Sequence, residues 1–208
     1  MTRVKLCGLS RKEDIAEANA LRPDYIGFVF WEGSRRFVTA DKAISLSKML
    51  DPSIVPVGVF LNADIDHIIK IADSGCIRMV QLHGDESEEL VKRIQERTGL
   101  PVIRAFRIED RKDIETAVST EADLLMLDGG IGSGTAFDWS LLEDVDRPYF
   151  LAGGLDGDNV REAISKLHPF AVDVSSGIET DGLKDPVKMK RFIEAARTAD
   201  GTEGGTVS

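Results

Sequence analysis

Eight short apolar segments, each followed by a stretch with helical periodicity, constrain the fold more than any other feature. Their starts lie about 21 to 30 residues apart, which is the length one strand–helix unit needs. The predicted strands cover residues 4–7, 25–30, 55–60, 79–82, 102–106, 124–127, 149–152 and 171–174. The sequence therefore predicts eight consecutive βα units.

The intervening stretches predict helices with recognisable N-terminal signals. They cover residues 12–21, 40–50, 65–73, 86–97, 111–118, 159–167 and 186–198, with a short sixth helix around 140–144. Thr39 and Asp185 are predicted N-caps, and Pro186 follows Asp185 at a first helical position.

Eight such units without a domain-sized linker favour one α/β domain, a closed (β/α)₈ TIM barrel over residues 1–198. The alternative is an open doubly wound sheet, but no GxGxxG follows the first strand. The 208 residues leave little room for insertions, since about 250 is typical of this barrel. Residues 199–208 are predicted to form a flexible tail.

Charge and composition limit the classes of molecule that this chain is expected to bind. A net charge of −10 argues against nucleic acid and anionic membranes, yet it permits a small anionic substrate with a local positive contact. Cys7 and Cys76 form no CxxC pair and the three histidines share no ligand spacing, so no metal is expected. We expect a cytoplasmic protein, because no signal peptide or membrane-spanning run is evident.

In barrels of this kind the active site lies where the strands end. Glycines Gly153 and Gly154 follow the seventh strand, and Ser175, Ser176 and Gly177 follow the eighth. Bare backbone and hydroxyl groups at these two strands favour a phosphate site, with two ordinary glycine turns as the alternative.

Cys7 ends the first strand, two residues after Lys5, so both side chains point to the same side. A lone cysteine is most often a small buried apolar residue. A nearby ammonium would favour the thiolate, which can act as a base or nucleophile.

Four further polar residues lie at or near strand ends, and three of them have both a functional and a structural interpretation. Asp128 is either a general acid or a turn former. Arg36 either binds a carboxylate bidentately or is a solvated loop charge. His83 is favoured as a structural histidine over a catalytic one, and Asp173 is a candidate brace for the last loop.

Taken in order, the motifs resemble those of the phosphoribosylanthranilate isomerases of tryptophan biosynthesis. The matching runs are KLCGL (5–9), GFVF (27–30), SRRFV (34–38), VGVF (57–60), QLHGDE (81–86), LD (127–128), GSG (132–134), FDW (137–139), LAGGL (151–155), NV (159–160) and VDVSSGIE (172–179). Each run is unspecific alone, whereas the ordered set spans the whole predicted barrel.

The resemblance implies an Amadori rearrangement of N-(5-phospho-β-D-ribosyl)anthranilate without a cofactor. It makes Cys7 the general base, Asp128 the general acid and Arg36 the group that holds the anthranilate carboxylate. The glycine and serine loops then hold the phosphate of this small substrate. Such an enzyme is expected as a monomer or homodimer.

Three features depart from the family pattern. The segment from Asp128 to Phe137 is short, Thr135 stands where Lys or Arg is frequent, and Arg35 stands where Pro is frequent. The loop that carries Arg36 is therefore expected to be less rigid than in relatives.

Other functions remain as alternatives from the residues alone. A sugar-phosphate epimerase would need a His and Asp metal cluster, and a Schiff-base aldolase would use Lys5 but leave Cys7 unexplained. An indole-glycerol-phosphate synthase is a further phosphate-binding barrel. A non-catalytic ligand-binding barrel would be expected to lack Cys7 or Asp128, and both are present.

Overall fold

The computed structural model describes residues 1–129 and 138–199, and its central feature is a closed barrel of eight parallel strands in the order β1 to β8. The strands are β1 Arg3–Cys7, β2 Tyr25–Val29, β3 Val55–Phe60, β4 Met79–Leu82, β5 Val102–Arg107, β6 Leu124–Asp128, β7 Tyr149–Ala152 and β8 Ala171–Val174. Every predicted strand is confirmed to within one residue at each end. The (β/α)₈ prediction is therefore correct, and the open sheet is excluded because β1 pairs with β8.

Helices on the outside of the barrel connect successive strands, and the last helix follows β8. They are α1 Lys12–Leu21, α2 Ala40–Ser47, α3 Ile65–Asp73, α4 Glu88–Thr98, α5 Arg111–Ser119, α6 Val160–Leu167 and α7 Pro186–Ala199. A 3₁₀ turn, Trp139–Leu142, replaces the short helix predicted around residues 140–144. Thr39 accepts a hydrogen bond from the amide of Lys42, and Asp185 accepts from the amides of Val187 and Lys188, so both predicted caps are confirmed.

Two helix boundaries differ from the predictions by more than one residue, for local reasons. α2 ends at Ser47, three residues early, because the next amides bond carbonyls three residues back, as Leu50 does with Ser47. α4 begins at Glu88, because the Ser87 hydroxyl caps it and the Glu86 carboxylate turns back to the amides of Asn62 and Gly84.

The connection after β8 contains a small hairpin that the sequence analysis did not predict. A short 3₁₀ turn, Ser176–Ile178, leads into β9 Glu179–Thr180, which pairs antiparallel with β10 Leu183–Lys184. The two turn residues, Asp181 and Gly182, both have positive φ angles, of 51° and 79°. An Asp-Gly pair with this geometry is a favoured two-residue hairpin turn.

Apolar side chains fill the barrel below the strand ends and the space between barrel and helices. The uppermost interior cluster consists of Cys7, Val29 and Val59. It forms the floor of the opening at the carboxyl ends of the strands.

The C-terminal end of the chain was predicted to be a tail from residue 199. Ala199 is instead the last residue of α7 and is buried, and residues 200–208 lie outside the described part of the chain. Among residues 1–129 and 138–199, no helix has the length and apolar character needed to cross a membrane.

Candidate active site

A cavity of about 440 Å³ opens at the carboxyl ends of the barrel strands. Its walls include most of the predicted site residues: Cys7, Arg36, His83, Asp128, Gly153, Gly154, Asp173, Ser175 and Ser176. Lys5 and Gly177 are not among the lining residues. The fold thus brings together the ends of seven strands around a space large enough for a small molecule.

Cys7 forms part of the cavity floor and is only 8 % exposed. Gly27 on the adjacent strand makes room for it, since a Cβ there would lie 2.7 Å from the Cys7 sulfur. Burial raises the pKa of the Cys7 thiol, while the ammonium groups of Lys5 and Lys184 act in the opposite direction. As expected, Lys5 lowers the pKa of Cys7 and so favours the thiolate, but the opposite effect of burial is larger.

Lys5 lies beneath Cys7, is fully buried, and bonds Asp173 with an Nζ–Oδ1 distance of 2.7 Å. The pair bridges β1 and β8, where the two residues are register partners. Burial opposes the charge on Lys5, but the carboxylate of Asp173 together with Cys7 raises the pKa of Lys5 above its ordinary value. Asp173 therefore compensates a buried ammonium, which is a more specific task than bracing a loop.

Asp128 ends β6 and faces the cavity next to His83. The His83 Nε2 lies 3.6 Å from Asp128 Oδ2, and His83 Nδ1 lies 3.0 Å from the amide nitrogen of Gln81. His83 is thus positioned by a structural contact and directed at the candidate acid.

The two glycine- and serine-rich loops lie side by side at β7 and β8. Gly153 and Gly154 have φ angles of 93° and 67°, which favour glycine. Gly177 allows the two loops to touch, because a Cβ there would overlap the carbonyl oxygen of Leu155. The Ser175 hydroxyl donates to the carbonyl of Cys7, so this loop is also tied to β1.

Arg36 reaches the cavity from the loop after β2 and is held by Glu179. Its Nε and Nη2 lie 2.6 and 3.0 Å from the two Glu179 carboxylate oxygens, a bidentate pair. The stem of Arg36 lies against Gly8, where a Cβ would overlap its Cδ. Arg36 is therefore fixed across the residue that follows Cys7.

Three polar residues at the site were not assigned roles from the sequence. Glu179 and Lys184 belong to the unpredicted hairpin, and the Lys184 Nζ bonds both Glu179 and the carbonyl of Ser175. Gln81 is buried, lines the cavity and orients His83. Its position two residues before His83 on β4 was the available signal, since such residues face the same side of a strand.

The departures noted in the sequence have different outcomes. Arg35 contacts the Glu179 carboxylate, which ties the loop carrying Arg36 to the hairpin, so the missing proline does not leave this loop unattached. Thr135 and the motif at 132–134 lie outside the described residues, as does most of the loop after β6. Within the described ranges no group of three His, Cys, Asp or Glu side chains could hold a metal ion.

A closed parallel barrel whose strand ends deliver a thiol, a carboxylate and a guanidinium to one cavity defines a (β/α)₈-barrel enzyme. Comparison with known proteins specifies the family. The family model described as N-(5′-phosphoribosyl)anthranilate (PRA) isomerase matches residues 4–195.

Curated relatives and solved structures agree with this match. The N-(5′-phosphoribosyl)anthranilate isomerases of Endomicrobium trichonymphae and Streptococcus mutans are each 42 % identical, over 95 % of this chain and 100 % of theirs. The crystal structure of the phosphoribosylanthranilate isomerase from Thermotoga maritima is 39 % identical, with a TM-score of 0.88 over 95 % of this chain and 100 % of that chain.

A further structure of such an isomerase, in complex with reduced 1-(o-carboxyphenylamino)-1-deoxyribulose 5-phosphate, is also 39 % identical. Its TM-score is 0.86, over the same shares of the two chains. The chain belongs to the N-(5′-phosphoribosyl)anthranilate isomerase family and is an enzyme of that family, an isomerase of tryptophan biosynthesis.

Proposed function

We propose that the cavity catalyses the Amadori rearrangement of N-(5-phospho-β-D-ribosyl)anthranilate by general acid/base catalysis, with Asp128 as the acid and Cys7 as the base. The observation that carries this proposal is their placement at the ends of β6 and β1, so that both line the same cavity. A bound sugar can therefore meet a proton donor and a proton acceptor at once.

The first step opens the furanose ring. Asp128, protonated, donates to the ring oxygen as its bond to C1′ breaks, and the nitrogen lone pair forms a Schiff base with C1′. His83 directs Nε2 at Asp128 and so helps to orient the carboxyl group. A positioned acid of this kind supplies about 10²- to 10⁴-fold in rate.

The second step moves a proton from C2′ to Cys7. The thiolate takes the proton, the electron pair of the C–H bond forms the enolamine, and the Schiff-base nitrogen becomes neutral. Tautomerisation then gives 1-(2-carboxyphenylamino)-1-deoxy-D-ribulose 5-phosphate. Because burial raises the pKa of Cys7, the ammonium groups of Lys5 and Lys184 are needed to stabilise its charged form.

The two ends of the substrate are bound by opposite parts of the cavity. Arg36 binds the anthranilate carboxylate through its guanidinium, and the loops containing Gly153, Gly154, Ser175 and Ser176 bind the phosphate. Gly177 contributes by letting these two loops pack together. Contacts at both ends convert binding into orientation of the reacting carbons.

The proposed setting follows the family. We propose a cytoplasmic enzyme that acts on one small phosphorylated substrate, as a monomer or homodimer. One structure similar to this chain consists of monomers of a dimeric phosphoribosylanthranilate isomerase from Thermotoga maritima, with 38 % identity and a TM-score of 0.85. Light scattering of the purified chain measures which of the two assemblies it forms.

The function is tested by incubating the purified chain with phosphoribosylanthranilate and following the loss of its anthranilate-type fluorescence. We expect rapid loss with the native chain and none above background with Cys7→Ser, because a hydroxyl is far less acidic than a thiol. Cys76→Ser is the matched control, since Cys76 is buried beside α3 and does not line the cavity. A Cys7→Ser variant with full activity would remove Cys7 from the mechanism.

A further inference from the structure

We propose that Glu179 is the positioning residue for Arg36, and that the β9–β10 hairpin thereby sets the affinity for the substrate carboxylate. This inference rests on the proposed function, in which Arg36 binds that carboxylate. It adds a residue to which the sequence analysis assigned no role, and this residue affects carboxylate binding through Arg36.

The geometry of the pair fixes the plane of the guanidinium. Glu179 engages Nε and Nη2 of Arg36 with its two oxygens, at 2.6 and 3.0 Å. An arginine held by two parallel hydrogen bonds loses its rotational freedom before a ligand arrives. A second carboxylate is then bound through the side of the guanidinium that carries Nη1.

Glu179 can perform this task because it is buried and charged. Its side chain is 4 % exposed. Burial alone would raise its pKa, but hydrogen bonds from Arg36 and Lys184 lower the pKa of Glu179 to about 2. The carboxylate is therefore ionised at neutral pH and stays fixed among its cationic partners.

The charge balance around Glu179 leaves Arg36 able to attract an anion. Arg35, Arg36 and Lys184 each contact this single carboxylate. Three positive groups around one negative group leave a local excess of positive charge. Glu179 thus orients Arg36 without cancelling the field that attracts the substrate.

The hairpin also couples the two ends of the substrate site. Lys184 bonds Glu179 at 2.7 Å and the carbonyl of Ser175 at 2.8 Å. Ser175 belongs to the proposed phosphate loop, and its hydroxyl bonds the carbonyl of Cys7. One hairpin therefore holds the proposed carboxylate and phosphate sites in register.

The test is a calorimetric titration with reduced 1-(o-carboxyphenylamino)-1-deoxyribulose 5-phosphate, which carries both the carboxylate and the phosphate. The variants are Glu179→Gln, Arg36→Met and the double substitution. Glu86→Gln is the matched control, because Glu86 is also buried, at 4 % exposure, but accepts hydrogen bonds from backbone amides.

We expect Arg36→Met and Glu179→Gln each to weaken binding by about 10- to 100-fold. The double variant should bind no more weakly than Arg36→Met, because Glu179 acts through Arg36. In turnover, Glu179→Gln should raise KM with little change in kcat. Glu86→Gln should bind like the native chain.

The outcomes separate this inference from the proposed function. Native-like binding by Arg36→Met would remove the carboxylate role of Arg36 and overturn this inference, whereas the acid/base proposal, which rests on Asp128 and Cys7, would stand. If Arg36→Met binds weakly but Glu179→Gln does not, or if the two effects multiply, the positioning role of Glu179 is wrong and the proposed function stands.

A second variant covers the case in which Glu179→Gln does not fold. Arg36→Lys keeps the positive charge but replaces the planar fork with a single point charge. Positioning by Glu179 predicts that Arg36→Lys loses nearly as much affinity as Arg36→Met. Native-like affinity of Arg36→Lys would mean that charge alone suffices, and would overturn the inference.

Discussion

Single residues at the strand ends carry the proposed chemistry, and each has different surroundings. Asp128 and Cys7 lie in the same cavity, yet only Cys7 is placed above a buried ammonium, that of Lys5. Asp128 instead faces the Nε2 of His83. The proposal that the carboxyl group donates a proton and the thiol abstracts one comes from the family resemblance, and these two surroundings are the setting in which it is to be tested.

Asp128→Asn tests the acid. We expect kcat to fall by about 10²- to 10⁴-fold with little change in KM, because Asn keeps the shape but cannot release a proton. Steady-state fluorescence assays measure both constants. If Asp128 serves only to form the turn after β6, Asn would fill that place equally well and kcat would be nearly unchanged.

Gly8→Ala tests the contact between Arg36 and the residue after Cys7. Gly8 has a φ angle of 80°, and a Cβ there would overlap the Arg36 Cδ, so the stem of Arg36 must move. We expect a stability loss of about 1 kcal/mol from the backbone and, in addition, a clearly raised KM.

Gly99→Ala is the control for this substitution. Gly99 follows the last residue of α4 with a φ angle of 64°, and a Cβ added there would meet no other atom of the described chain within 4 Å. It therefore isolates the backbone cost. We expect the two variants to have similar melting temperatures, and we expect only Gly8→Ala to change KM. An unchanged KM in Gly8→Ala would show that Arg36 adapts without loss.

At the scale of elements, the Lys5–Asp173 ion pair joins β1 to β8, the two strands whose pairing closes the barrel. Asp173→Asn leaves the Lys5 ammonium buried with a neutral partner, and we expect about 3 kcal/mol of destabilisation in urea unfolding at neutral pH. Glu121→Gln is the matched carboxylate-to-amide control. It breaks the Lys92–Glu121 pair, whose side chains are half exposed, and should cost less than about 1 kcal/mol. Equal losses in the two variants would contradict a special role for the buried pair.

The strands could be predicted from the sequence because each is a short, continuously apolar run. The hairpin of β9 and β10 was missed because each strand has only two residues, too few for a periodic signal. The Asp181-Gly182 turn was the local clue. The C-terminal end of α2 and the start of α4 were misplaced because contacts between residues distant in sequence, such as the amide of Asp51 donating to the Asn19 side chain, decide how those loops continue.

Among the site residues, those that carry a recognisable chemistry at a strand end could be predicted, including Cys7 and Asp128. Glu179 was missed because its role depends on Arg36, which is 143 residues away in the chain. No local pattern encodes such a pair. Only closure of the barrel brings the second and eighth strand ends together.

For the whole molecule, acid stability should depend on Glu179. The pKa of Glu179 is about 2 in the folded chain, against 4.5 for an ordinary glutamate in an unfolded chain. The ionised carboxylate therefore stabilises the fold, and this contribution is fully present above pH 4.5. This contribution is lost as the pH falls from 4.5 toward 2. Urea unfolding at a series of pH values should therefore show the native chain and Glu179→Gln converging in stability on acidification. A difference that stays constant with pH would contradict the assignment.

The net charge of −10 belongs to the surface at large, while the cations around Glu179 are gathered at one end of the barrel. A negative molecule with a local positive cluster repels polyanions but still draws a small anion to its cavity. The net charge of the chain therefore governs repulsion of polyanions, while the local cluster governs attraction of the substrate.

The pairing of β1 with β8 has a consequence for how this protein is made. Lys5 and Asp173 are 168 residues apart, so nearly the whole chain must emerge from the ribosome before the Lys5 ammonium can pair with the Asp173 carboxylate. Until then β1 has an open edge and cannot complete its hydrogen bonds. Nascent chains that end before β8 are thus expected to be clients for chaperones, and their solubility should improve abruptly once the eighth strand has emerged.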